Sequence, residues 1–196
     1  MIKVLIFDFD GVIINEYQKD YEAYLNIYPD LTHEHYKDLF EGNFRSKADT
    51  LLGEGNSGNA EKEYGLHVST VKIKESVKSI LRNFSKDYTI GVISSAVEKT
   101  LNDCIDNNDF KGFSFIYGFE TNRLKTEKFK MVFEKFNVKP EECLYITDTA
   151  GDVREARKVG VKSIALDCGY HERWRLEKAK PMKIISSFEE LPSSLP

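Results

Sequence analysis

Past residue 68 the chain alternates short apolar runs with helical repeats, and no hairpin signal lies between them. The runs "YTIGVIS" (88–94), "CLYIT" (143–147) and "VKSIAL" (161–166) are rich in Val, Ile or Tyr and short enough to be strands, with "FSFIYGF" (113–119) a weaker fourth. The segments between them carry apolar residues at spacings of three and four. These are Val71 with Val77, Ile80, Leu81 and Phe84; Val97 to Ile105; Phe129, Val132, Phe133 and Phe136; and Val153 to Val159. Strands separated by helices pair in parallel and need cover on both faces, so an α/β fold with a parallel sheet and helices on both sides is expected. The N-terminal "VLIF" (4–7) reads as its first strand.

Residues 15–68 break this rhythm. They hold no strong strand signal and most of the tyrosines, and they read as a small helical insertion, leaving 1–14 and 69–196 as the core. Tyr17, Tyr21, Tyr24 and Tyr28 recur at steps of four, three and four, which places them in one helical stripe and predicts packing within the insertion. "GEGNSGN" (53–59) reads as a turn or mobile connection, and Arg45 as a solvated charge rather than a substrate clamp.

The 28 Lys and Arg are scattered among 32 Asp and Glu, with no basic block to meet a nucleic acid. Asp8 cuts off the apolar start well short of a membrane span or secretory core, so the chain reads as cytoplasmic with no membrane partner. Cys104, Cys143 and Cys168 form no CxxC pair and read as buried thiols, while His33 and His35 read as solvated residues at a loop or helix start. Oligomeric state is left open.

The loops after parallel strands gather at one sheet edge, where ligands bind. Asp8 and Asp10 follow the first strand, Ser94 and Ser95 the second, Lys125 opens a later helix, and Asp148 and Asp152 follow "CLYIT". One acid at a strand end means little, because turns and caps favour Asp and Ser. Four such ends carrying groups suited to one reaction mean more. Clustered carboxylates repel unless a cation lies among them, and oxygen ligands with water suit Mg²⁺. With that cation and Lys125 offsetting charge, an aspartate becomes a workable nucleophile on phosphorus, through an aspartyl-phosphate.

The motifs "DFDGV" (8–12), "GVISSA" (91–96), the lysine opening "KTEKFKMVFEKFNV" (125–138) and "TDTAGD" (147–152) together resemble the haloacid dehalogenase-like superfamily, in its phosphatase branch. The resemblance runs on through "REARKVGVKSIAL" (154–166) to "IISSFEEL" (184–191), and 15–68 matches in position as a small helical cap inserted after the first motif, as in phosphoglycolate phosphatase-like and β-phosphoglucomutase-like members. It implies a Rossmann-like core and a Mg²⁺-dependent phosphomonoesterase acting on a small phosphorylated metabolite.

By that resemblance Asp8 is the nucleophile and a metal ligand. Asp10 is the general acid and base, with its backbone carbonyl on the metal. Ser94 and Ser95 bind phosphate, their alternative role being to cap the next helix, and Lys125 pairs with the phosphoryl group and Asp8. Asp148 is a direct metal ligand and Asp152 acts behind it or orients Lys125. Two positions depart from the pattern: Thr147 stands where many relatives have Gly, and the motif lysine lacks its proline setting, which makes Lys128 a second candidate, otherwise read as a solvated helix charge. His171 in "GYHERW" (169–174) reads as an ordinary loop histidine. A phosphomutase of the same fold, a receiver-type phospho-acceptor module and a non-catalytic metabolite-binding protein remain as alternatives; dehalogenation is disfavoured by Asp10.

Overall fold

The computed structural model describes residues 1–52 and 58–196, with the side chains of 45, 49, 51 and 52 also outside the description. The predicted turn at 53–59 therefore falls largely outside the described residues, as does the Arg45 side chain.

Six parallel strands form one sheet in the order β3-β2-β1-β4-β5-β6. They are β1 (Val4–Phe7), β2 (Thr89–Ile93), β3 (Phe115–Tyr117), β4 (Cys143–Thr147), β5 (Lys162–Leu166) and β6 (Lys183–Ile185). This is the Rossmann-like α/β arrangement. β1 lies between β2 and β4, with Val4 opposite both Thr89 and Cys143. Its four residues are all buried because alternate side chains feed opposite layers. Leu5 and Phe7 join Leu81 and Phe84 on one face, and Val4 and Ile6 join Phe129, Val132 and Tyr145 on the other. The chain order reverses between β1 and β4, and the crevice at such a reversal is where α/β sheets bind ligands.

Helices α1 (Tyr17–Leu25), α2 (His33–Leu39), α3 (Phe44–Leu52) and α4 (Gly58–Val68) fill the stretch between β1 and the core helix α5 (Glu75–Asp87). The crossovers and C-terminal region supply α6 (Glu98–Asp106), α7 (Lys125–Phe136), α8 (Ala150–Lys158) and α9 (Arg173–Ala179). The tyrosine stripe does pack the cap: Tyr21 and Tyr24 of α1 lie 5.5 and 5.3 Å, ring to ring, from Tyr36 of α2. Tyr28 falls beyond the end of α1, and Val71 lies before α5 rather than in it. Among the described residues no helix is long and apolar enough to cross a membrane.

The cap is tied to the core by charge. Buried Arg175 of α9 reaches Glu34 and Asp38 of α2 and Glu41 beyond it, at 2.6, 2.7 and 3.0 Å. The Gly151 amide at the start of α8 donates to the Phe40 carbonyl at 2.9 Å, and a Cβ at Gly151 would lie 2.4 Å from the Gly42 carbonyl oxygen. His171 belongs to the same seam and lies, as expected, in a loop, the one before α9. It is buried, its Nδ1 accepts from the Ala150 amide at 3.0 Å, and its Nε2 therefore donates to the Lys37 carbonyl, also 3.0 Å away. Cys104 and Cys143 are buried as expected, but Cys168 is exposed, because its residue lies in the turn after β5 rather than in a strand.

Candidate active site

Asp8 leaves the sheet at the end of β1, its amide donating to the Ile146 carbonyl at 2.8 Å as if the strand continued. Its side chain is fixed at both oxygens: Oδ1 accepts from the Phe9 amide at 2.8 Å and Oδ2 from Lys125 Nζ at 2.8 Å. Lys125, the first residue of α7, also donates to Asp152 Oδ2 at 2.7 Å and lies 3.0 Å from Tyr145 Oη. All three charged groups are buried.

Asp152 has further donors. Thr147 Oγ1 lies 3.0 Å and Tyr145 Oη 3.2 Å from its Oδ2, so Thr147 adds a hydrogen bond to the cluster. Burial alone would raise Asp152, but the Lys125 charge and these donors hold its carboxyl well below the usual range. Burial pushes Asp8 the other way, well above its ordinary value, against the pull of Lys125 and with Asp152 and Asp148 adding repulsion.

Asp148 lies at the end of β4 with no exposed surface. Its Oδ2 accepts from the Tyr170 amide at 2.7 Å, while its Oδ1 is buried with no hydrogen-bond partner. Burial pushes this carboxyl up to about 8. Two glycines close around it: a Cβ at Gly11 or Gly169 would lie 1.9 or 2.4 Å from Oδ2, and Gly11 has a φ of 73°, a conformation that favours glycine. An orphaned carboxylate oxygen in a cradle kept clear of side chains fits a small cation with oxygen ligands. Among the described residues no three His, Cys, Asp or Glu side chains form a ready metal cage. Asp8 and Asp148, at the ends of the neighbouring strands β1 and β4, are the carboxylates that could hold such a cation.

Ser94 follows β2 and is almost fully buried, its amide donating to the Tyr117 carbonyl at 3.0 Å. Its hydroxyl accepts from the Ala96 amide at 3.0 Å, which tightens the turn; the N-cap of α6 is Val97, with no side-chain cap, so Ser94 does not cap that helix. Ser95 is half-buried beside it.

Lys128, one turn into α7, is not a solvated charge. It is buried, with 1% exposure, and donates to the Ser94 carbonyl at 2.5 Å from beneath the site. Desolvation, with Lys125 nearby, lowers it to about 7. Because the unfolded chain binds this proton up to higher pH, stability is penalised at low pH and regained as pH rises from about 7 toward 10.5. Lys128→Met is expected to remove a rise of about 1.4 kcal/mol per pH unit over that window. Urea unfolding at pH 7, 8 and 9 measures it, and parallel curves for both proteins would contradict it.

Asp8, Asp10, Ser94, Ser95, Lys125, Asp148 and Asp152 all line one cavity between the sheet edge and the inserted helices. Three wall residues carry no signal in the sequence. Tyr64 of α4 donates to Asp10 Oδ1 at 2.7 Å; Tyr170 donates to Asp20 Oδ2 of α1 at 2.8 Å while its amide holds Asp148. Burial, with the charge of Asp10, raises Asp20 to about 7. Only the cluster "GYHERW" points to this region, through His171 rather than Tyr170.

A parallel sheet with a reversed chain order, inserted helices over its carboxyl edge, and acids at the ends of neighbouring strands define a Rossmann-like α/β core with an acidic pocket at its switch point. The chain belongs to the haloacid dehalogenase-like hydrolase family, whose model matches residues 5–166. Among curated proteins, none matches the sequence. In fold the chain is similar to a haloacid dehalogenase-like family hydrolase from Streptococcus pneumoniae, with a TM-score of 0.79, 18% identity and 98% of both chains covered. It is also similar to a β-phosphoglucomutase from Clostridium difficile, with a TM-score of 0.76, 20% identity and 97% and 93% covered. A predicted phosphoglycolate phosphatase from Haemophilus somnus gives 0.74 and 17%, with 98% and 97% covered.

Proposed function

We propose that the protein is a cytoplasmic, Mg²⁺-dependent phosphomonoester hydrolase acting on a small phosphorylated metabolite through an aspartyl-phosphate on Asp8. The observation that carries this reading is the convergence of all seven groups on one cavity, with Asp8 clamped by Lys125 and an unpartnered Asp148 oxygen beside it. Asp8 and Asp148, with the Asp10 carbonyl, would hold the cation, which would offset the negative charge of phosphate and carboxylate.

The chain's own groups divide the work. An oxygen of Asp8 attacks phosphorus, and the bond to the leaving oxygen breaks as that oxygen takes the proton of Asp10. Ser94, the backbone beside Ser95, and Lys125 hold the phosphoryl oxygens in line. Asp10, now ionised, removes a proton from water, which attacks the same phosphorus and restores Asp8 and protonated Asp10. Asp152 keeps Lys125 in reach of Asp8, being 2.7 Å from its Nζ.

Phosphate release from p-nitrophenyl phosphate and a panel of metabolite phosphates tests the reading and identifies the substrate. Activity is expected with added Mg²⁺, loss of more than about 100-fold after chelation, and recovery on resupply. Equal turnover with and without chelator would remove the cation from the scheme, and no release from any ester would overturn the reading.

A further inference from the structure

Tyr64 is the cap's contact with the group that handles protons. Its hydroxyl lies 2.7 Å from Asp10 Oδ1, and only 8% of the residue is exposed. The residues around it fix its reach. A Cβ at the next residue, Gly65, would come within 2.9 Å of Thr100 Oγ1 on α6, so α4 lies close against the core there. Two residues further on, His67 Nε2 is 2.7 Å from Glu16 Oε2 on the segment leaving Ile14. Tyr64 thus projects from a helix packed on α6 at its next residue and tied at His67 to the start of the inserted segment, and its buried phenol meets Asp10 from there.

The chemistry of that bond is directional. A phenol donating to Oδ1 makes Oδ1 the acceptor of the carboxyl group, which leaves Oδ2 to carry the acidic proton. Without the phenol, either oxygen of Asp10 could be protonated and the side chain could turn about its terminal torsion, which is soft. We propose that Tyr64 is a positioning residue that presents the Asp10 proton to the leaving oxygen. This rests on the reading of Asp10 as general acid. A ring that merely filled space would serve equally well as phenylalanine.

The test compares two esters of similar size: p-nitrophenyl phosphate, whose leaving group departs without help, and benzyl phosphate, whose alkoxide needs a proton. kcat/KM is measured for wild type, Tyr64→Phe, Asp10→Asn and the double variant, with circular dichroism and thermal melts to verify folding. Tyr64→Phe is expected to lose about 10- to 100-fold on the benzyl ester and less than about 3-fold on the nitrophenyl ester. In the Asp10→Asn background the same change is expected to have no further effect on the benzyl ester, because there is no proton left to position. Equal losses on both esters, or additive losses in the double variant, would show Tyr64 acting through binding or folding and overturn the proposal. No loss on either ester would show an idle bond and overturn it as well. If Asp10→Asn itself loses both esters equally, the acid role of Asp10 has failed; if Asp10→Asn is selective and Tyr64→Phe is not, only the role of Tyr64 has failed.

Discussion

Asp8→Asn is expected to lower phosphate release by a factor on the order of 10⁴ or more, leaving a folded protein behind. An amide keeps the shape of the carboxylate, so the turn into Gly11 is not forced to change. It cannot supply the oxygen nucleophile, and no neighbour can take over. Asp10 Oδ1 is engaged by Tyr64, Asp152 by Lys125 and Thr147, and Asp148 points an oxygen into its own cradle. The amide also faces two donors, the Phe9 N–H and Lys125 Nζ, where the carboxylate satisfied both. Only the amide oxygen can accept, so one bond is lost at a cost of about 1–3 kcal/mol, which a domain of this size tolerates. Relief of burial and repulsion on a carboxylate already raised by its surroundings works in the opposite direction. Single-turnover assays with p-nitrophenyl phosphate, alongside a thermal melt, measure both quantities. Turnover near wild type would take the nucleophile's role from Asp8.

What could be read from the chain alone follows from where each signal lives. β1, β2, β4 and β5 are buried on both faces along most of their length, so their residues form mainly apolar runs, and the acids after β1 and β4 and the serines after β2 mark one edge by chain position alone. β6 is only three residues, "KII", at the sheet's margin, and α9, "RWRLEKA", turns much of its surface to water and to the cap's acids. Neither carries enough pattern to stand out. Lys128 misleads for a physical reason: a lysine one turn into a helix is ordinarily solvated, and its burial depends on the Ser94 carbonyl arriving from another strand. Tyr64 and Asp10 are 54 residues apart, and their bond exists only because α4 folds back over the edge. Motifs record the groups that gather at the sheet edge. They do not record which cap residue meets them, because that depends on a helix packing seen in three dimensions.

Lys125 also discriminates between the two lysines of α7. Lys125→Met is expected to reduce kcat/KM on the order of 10³-fold, whereas Lys128→Met, one turn on, stays within about tenfold of wild type. The difference follows from what each ammonium touches: Lys125 bridges two carboxylates in the cavity, while Lys128 meets a carbonyl beneath it. Removing Lys125 breaks a buried ionic cluster and leaves Asp8 and Asp152 facing each other with no cation, a change that costs about 3–5 kcal/mol when both remain ionised. They do not both remain ionised at every pH. In the wild type Asp152 is depressed, so its share of stability is present above its ordinary value and lost as pH falls through its folded value. In the variant that depression is gone, and the pair takes up a proton at higher pH because two close carboxylates resist double ionisation. The gap in unfolding free energy between wild type and variant is therefore expected to be largest near pH 8 and to narrow toward pH 5. Denaturant unfolding at the two values, with metal withheld, measures it. A gap that widens on acidification would mean that Lys125 does not hold Asp152 in its charged form, and a Lys128→Met variant as inactive as Lys125→Met would move the phosphate-binding role to the deeper lysine.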